Sequence, residues 1–245
     1  MIIINVDELG RKLNLKIVIK IGGHLFSSKL CAKEIEAYSR LLQKLHNEGY
    51  GLVVVVGGGA EARRYIQVAK KLGGSETICD LLGIAVSRIH ARLLITSLND
   101  VAFPEVPTTI EELRTCFATG RMVIMGGTQP GQSTNAVGIL AAEAIGADMF
   151  INATDVDGVY TSDPKKDPHA KKLDKITTDQ LFAVIQTNKL EAGSYALFDP
   201  IAIKIVERSG IATRIVDGRK PINIERAVKG DAVGTLIISA MENHR

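Results

Sequence analysis

Residues 52–62 read Leu52-Val53-Val54-Val55-Val56-Gly57-Gly58-Gly59-Ala60-Glu61-Ala62. Five apolar, mostly β-branched residues in a row predict a strand buried on both faces, as in a parallel sheet. Three glycines end it, and Ala62, Tyr65, Ile66, Ala69 and Leu72 then recur at helical spacing, which predicts a helix. The same strand-glycine-helix unit appears on both sides. Upstream, Lys16 to Ile21 reads as a strand, Gly22-Gly23 follows, and Ile35, Tyr38, Leu41, Leu42 and Leu45 mark a helix stopped by Gly49. Downstream, Ser75 is the N-cap of a long helix to about Leu98, and Thr109 with Glu112 forms a capping-box pattern. Met122 to Met125 is a third strand, ending at Gly126-Gly127, and Ser133 to Ile145 is helical.

The C-terminal part continues the alternation. Met149 to Ala153 reads as a strand, and Asp157-Gly158 as a hairpin turn. Pro164 and Pro168, with the pairs Lys165-Lys166 and Lys171-Lys172, mark an exposed connection. Helices follow near Thr178 to Gln186 and after Pro200, and strands near Ile211 to Val216 and Thr235 to Ile238. This β-α-β-α order predicts an α/β fold, a largely parallel sheet covered by helices on both faces. Ligands in such sheets bind at the carboxyl ends of the strands, where the three glycine clusters fall.

Bulk composition narrows the function. At 245 residues with 46% hydrophobic and 23% charged, the chain is globular. A net charge of +3, 4% aromatics and no Trp give no footprint of nucleic-acid binding. Cys31, Cys79 and Cys116 are isolated thiols, and the five His residues show no metal-ligand spacing. No apolar run approaches the ~20 residues of a membrane span, and the apolar start breaks at once into Asp7 and Glu8. A cytoplasmic protein without nucleic-acid or membrane partners is expected.

A glycine loop between strand and helix lets backbone N–H groups converge on an anion, and the helix N-terminus adds partial positive charge. Gly57, Gly59 and Ala62 satisfy a dinucleotide fingerprint, but its acidic partner belongs at the end of the next strand, and the candidate, Asp80, lies in a helical pattern. Gly126, Gly131, Gln132 and Ser133 follow a P-loop pattern except that Gln132 replaces the essential Lys. Neither motif is complete. What remains is three anion loops with separate cations: Lys20 before the first loop, Arg63 in the first turn after the second, and Lys204 on the helix after Asp199-Pro200. Phosphoryl transfer needs this kind of positioning and charge.

The stretches Met125-Gly-Gly-Thr-Gln-Pro-Gly-Gln-Ser-Thr134 and Thr154-Asp-Val-Asp-Gly-Val-Tyr-Thr-Ser-Asp-Pro164, supported by Lys20-Ile-Gly-Gly23, Val56-Gly-Gly-Gly59 and Asp199-Pro-Ile-Ala-Ile-Lys204, carry a resemblance. From about Lys16 to Ile238 the chain resembles the amino acid kinase family, in its branch that phosphorylates UMP. The resemblance implies a three-layer α/β/α sandwich, Mg2+-dependent transfer from ATP to UMP, and a homohexamer built from dimers. It implies residues 1–15 as an N-terminal extension and a single domain over 16–240. The acceptor-binding part is about 16–150 and the ATP-binding part about 151–240.

Residue by residue, the resemblance implies Lys20, Arg63, Asp199 and Lys204 as catalytic. It implies Gly22, Gly23, His24, Gly58, Arg63, Thr154, Asp155, Tyr160 and Asp163 for ATP. For UMP it implies Gly57, Asp80, Thr128, Gln129, Pro130, Gly131, Gln132, Ser133 and Thr134. Two positions depart from the pattern. Asn135 stands where many relatives carry Asp, so magnesium would need another carboxylate, with Asp155 a candidate. His24 stands where small polar residues are common. Two alternatives stay open: a related kinase acting on a carboxylate, carbamate or isoprenyl phosphate, and a non-enzymatic oxyanion binder.

Overall fold

The computed structural model describes residues 15–23, 30–162, 164, 167–189 and 198–240. The chain runs through β1 (Lys16–Ile21), α1 (Ala32–Asn47), β2 (Gly51–Val56), α2 (Gly59–Lys71), α3 (Glu76–Leu98), α4 (Ile110–Phe117), β3 (Val123–Met125) and α5 (Thr134–Ile145). It continues through β4 (Met149–Thr154), β5 (Val159–Tyr160), β6 (Lys172–Leu173), β7 (Lys175–Thr177), α6 (Thr178–Lys189), α7 (Pro200–Ser209), β8 (Ala212–Asp217), α8 (Pro221–Val228) and β9 (Thr235–Ile238).

The main sheet has the order β3-β2-β1-β4-β8-β9-β7. Every pairing in it is parallel except β8 with β9. Strand period sorts side chains to two faces. Ile17, Ile19 and Ile21 of β1 pack with α1, α3 and α8, whereas Val18 joins α4, α5, α6 and α7 on the other side. The α/β/α sandwich is therefore built from two cores that share one sheet.

Local signals explain most boundaries. The Ser75 hydroxyl accepts from the Ile78 N–H at the start of α3, and Ser133 accepts from Asn135 and Ala136 at the start of α5. Thr109 caps α4, and Glu112 reaches back to the N–H and hydroxyl of Thr108.

One expectation is corrected. Asp157-Gly158 is not the hairpin turn; it precedes β5, and the antiparallel pair is Val159 with Leu173 and Tyr160 with Lys172. Gly158 packs close to Thr235, where a Cβ would lie 2.6 Å from the hydroxyl. The helix expected after the second loop is present as α2, and only Ala62 of it is buried. Tyr65 is 55% exposed and Leu72 82%. The helix lies against α3 instead of the sheet.

The register aligns the carboxyl ends. Ile21 pairs with Val56 of β2 and with Ala153 of β4, Val55 pairs with Met125, and Thr154 pairs with Asp217. The chain goes from β1 outward to β2 and β3, then returns to the other side of β1 with β4. Strand order thus reverses between β1 and β4, the place where such sheets open a crevice.

Candidate active site

Lys20 lies on β1 one residue before the strand ends, on the α5 side of the sheet, and is only 9% exposed. Gly138 lets α5 cross close above it: a Cβ there would lie 2.6 Å from the Phe150 ring and 3.5 Å from the Lys20 Cβ. Burial pulls the Lys20 pKa down to about 8, and the negative charge of Asp155 partly opposes this. Among the described residues no carboxylate is ion-paired with it. A buried ammonium without such a partner is suited to a bound polyanion.

The glycine loops meet here. A Cβ on Gly23 would collide with the backbone of Gly59, so the first and second loops touch backbone to backbone. The Gly57 N–H donates to Ile21, and the Gly22 N–H donates to Ala153 at 2.8 Å. The third loop presses on α3, where a Cβ at Gly126 would lie 2.8 Å from the Arg88 nitrogen. Close packing, as well as anion access, requires glycine at these positions.

α3 is the support for two of the loops. The Gly131 N–H donates to Asp80 at 2.8 Å, and the Gly127 N–H donates to the Ser87 hydroxyl at 2.8 Å. The Arg88 guanidinium donates to the carbonyls of Gly127 and Thr128, each at 3.0 Å, and to that of Thr108 at 3.4 Å. His90 is buried and its Nδ1 contacts the Gly57 carbonyl at 3.0 Å; burial lowers its pKa. Sequence reasoning missed Ser87, Arg88 and His90. No local signal marks them, because the loop atoms they hold lie 33 to 40 residues away in the chain.

A cleft of about 170 Å³ opens between the second loop, α3 and the third loop. Gly58, Gly59, Asp80, Gly127, Gln132 and Thr134 line it. Small-molecule sites commonly enclose ~300–1,000 Å³, so this cleft holds one portion of a nucleotide-sized ligand. From the third loop Gln132 and Thr134 reach the cleft, and the Thr128 hydroxyl donates to Gln132 at 2.9 Å. Ser133 faces elsewhere. Its hydroxyl donates to Asp199, whose other oxygen accepts from the Ala202 N–H at 2.9 Å. Asp199 thus caps α7 and ties it to the start of α5.

On the other side of Lys20, the Thr154 hydroxyl donates to the exposed Asp155 at 3.2 Å. The Tyr160 hydroxyl donates to Asp157 at 2.9 Å, and this bond raises its pKa. Arg219 forks onto Asp217 at 2.8 and 2.9 Å beside this segment, a pair that sequence reasoning also missed. His24 and Asp163 lie outside the described residues. Arg63 is the fifth residue of α2, at the start of its second turn, and is exposed. Lys204 is exposed and paired with Glu207 at 3.1 Å. Among the described residues neither cation is hydrogen-bonded or ion-paired to Lys20, Asp155 or Asp199. The structure therefore brings Gly58, Asp80, Gln132 and Thr134 around one cleft, sets Lys20 at the loop junction, and leaves Arg63 and Lys204 on outer helix faces.

Known proteins share this sequence pattern and this fold. The sequence profile of the amino acid kinase family matches residues 16–217. The uridylate kinase of Hyperthermus butylicus is 46% identical over 221 residues, covering 90% of this chain and 97% of the relative. That of Methanothermobacter thermautotrophicus is 46% identical over 224 residues, covering 91% and 99%. The crystal structure of uridylate kinase from Archaeoglobus fulgidus superposes with a TM-score of 0.82 at 42% identity, covering 91% of this chain and 100% of that one. UMP kinase from Bacillus anthracis, at 22% identity and a TM-score of 0.79, shares the fold, covering 92% of this chain and 96% of that one. By profile, by relatives and by architecture, the chain belongs to the amino acid kinase family.

Proposed function

We propose that the chain is a UMP kinase, which reversibly transfers the γ-phosphoryl group of ATP to UMP, giving UDP and ADP, in pyrimidine nucleotide biosynthesis. One observation carries this reading: relatives named uridylate kinase match it at 41–46% identity over about nine-tenths of its length. The loop junction around Lys20 supports it.

In this reading UMP occupies the cleft of the second and third loops, with Gly57, Asp80 and Thr128 to Thr134 around it. ATP lies toward Gly22, Gly23, Gly58, Thr154, Asp155 and Tyr160. Lys20 stands between them and neutralises charge on the phosphoryl in flight. Arg63 and Lys204 act from the rim, and Asp199 sets the relation of α5 to α7. The attacking atom is an anionic phosphate oxygen, so no strong general base is required. The acceptor part is about 16–150 and the donor part about 151–240.

Magnesium fits this donor set. Among the described residues no group of three or more His, Cys, Asp or Glu side chains is gathered as a metal site. Mg2+ needs only one or two carboxylates when nucleotide phosphates supply the rest, and the exposed Asp155 at the end of β4 is placed to provide one. The ion, when bound with ATP, offsets charge on the phosphates.

We also propose a cytoplasmic homohexamer, a trimer of dimers. The exposed apolar residues of α2 and α3 (Tyr65, Val68, Leu72, Ile89) support assembly. No described helix is long and apolar enough to cross a membrane.

The test is an acceptor panel with ATP and magnesium: UMP, CMP, dUMP, acetylglutamate and isopentenyl phosphate. UMP should be turned over fastest. Equal turnover of a non-nucleotide would overturn the assignment.

A further inference from the structure

Arg88 is the least expected residue of the site. It stands on α3, part-buried, and forms no ion pair among the described residues. All its hydrogen bonds go to backbone carbonyls. Nε takes Gly127 and Nη2 takes Thr128, both at 3.0 Å. A single planar fork therefore holds two consecutive carbonyls of the third loop, a geometry available to Arg and not to Lys.

The consequence follows from peptide geometry. Among the described residues no peptide bond is cis, and in a planar trans peptide the C=O and the following N–H point in opposite directions. With the Gly127 and Thr128 carbonyls drawn toward Arg88, the N–H groups of Thr128 and Gln129 are turned away from it. Neither N–H donates to another described residue. Two successive N–H donors of one loop, with a guanidinium behind them, are thereby left for an acceptor oxygen. Ser87 and Asp80 fix the loop on either side by accepting from the N–H groups of Gly127 and Gly131.

We infer that Arg88 is a positioning residue that presents the Thr128 and Gln129 N–H groups to an acceptor oxygen of the substrate bound in the adjacent cleft. This rests on the UMP kinase reading and deepens it. Two substrate groups share that chemistry, the phosphate and a carbonyl of the uracil ring, and the experiment separates them.

Binding of UMP, uridine and ribose 5-phosphate is measured by calorimetry, or by inhibition constants for the two fragments, in wild type, Arg88→Lys and Arg88→Gln. Melting temperature is recorded for each. Losing a charge-assisted hydrogen bond costs on the order of tenfold or more in affinity. Both variants should weaken UMP roughly tenfold or more with the KM for ATP unchanged, and Lys should not restore it. A loss shared by uridine but not ribose 5-phosphate assigns the donors to the ring carbonyl; the reverse assigns them to phosphate. Unchanged UMP affinity, full recovery with Lys, or an equal loss for ATP and all three ligands would overturn the role. A wild type that binds neither UMP nor its fragments would instead sink the kinase reading.

Discussion

Lys20 is a cation kept where water is scarce. Its pKa of about 8 means that the folded chain binds fewer protons than the unfolded chain between about 8 and its ordinary 10.5. Stability therefore rises as pH climbs through that window, because the buried charge is shed. Catalysis has the opposite sign, since the charged form is the useful one. The value of kcat/KM reports groups of the free enzyme, so it should fall above pH about 8. In kcat the same limb should lie higher, because bound phosphates favour the ammonium. Lys20→Ala should lower kcat ~10²-fold or more, the scale of removing one transition-state donor, while calorimetry still detects UMP. Turnover at the wild-type level would remove Lys20 from the mechanism. This residue was legible in the sequence because its neighbour pair Gly22-Gly23 is contiguous with it. Ser87 and Arg88 were not, because the carbonyls and N–H groups they hold lie about 40 residues further along the chain.

At the scale of elements, the third loop and α3 act as one piece. Gly126→Ala tests their closeness, since its Cβ would sit 2.6 Å from the Ser87 hydroxyl and 2.8 Å from a backbone nitrogen. Overpacking of this kind costs about 1–3 kcal/mol. For a chain of this size that means a Tm fall of roughly 2–4 °C per kcal/mol, readable by calorimetry, with KM for UMP rising more than KM for ATP. An unchanged Tm would mean that the loop is not seated on α3 as described. Elements defined by local chemistry were readable in advance: the run Leu52 to Val56, the caps Ser75 and Thr109, the proline at the start of α7. Those defined by distant partners were not. β7 is three residues whose only sheet neighbour is β9, and α8 went unread although Pro221 opens it. The outward turn of Tyr65 and Leu72 was also hidden, because helical spacing states that a helix has an apolar face and not what covers it.

On the scale of the whole molecule, that uncovered face is the feature to test. Leu72→Glu places a charge at the most exposed large apolar side chain of α2. If subunits meet there, light scattering should show a smaller assembly than wild type, with the circular dichroism of the fold retained. An unchanged mass would place the subunit contact elsewhere. The sheet carries a different kind of consequence, one of timing. Among the described residues β9 is the last strand to be synthesised, yet it is inserted between β8 and β7. Its first residue, Thr235, also holds the β5–β6 hairpin, accepting from the Val159 N–H at 2.8 Å and donating to the Leu173 carbonyl. A nascent chain that has already made its three glycine loops still has an open sheet and an untied β5–β6 pair. Insertion of the strand between β8 and β7 and anchoring of the β5–β6 pair both wait for translation to reach residue 235.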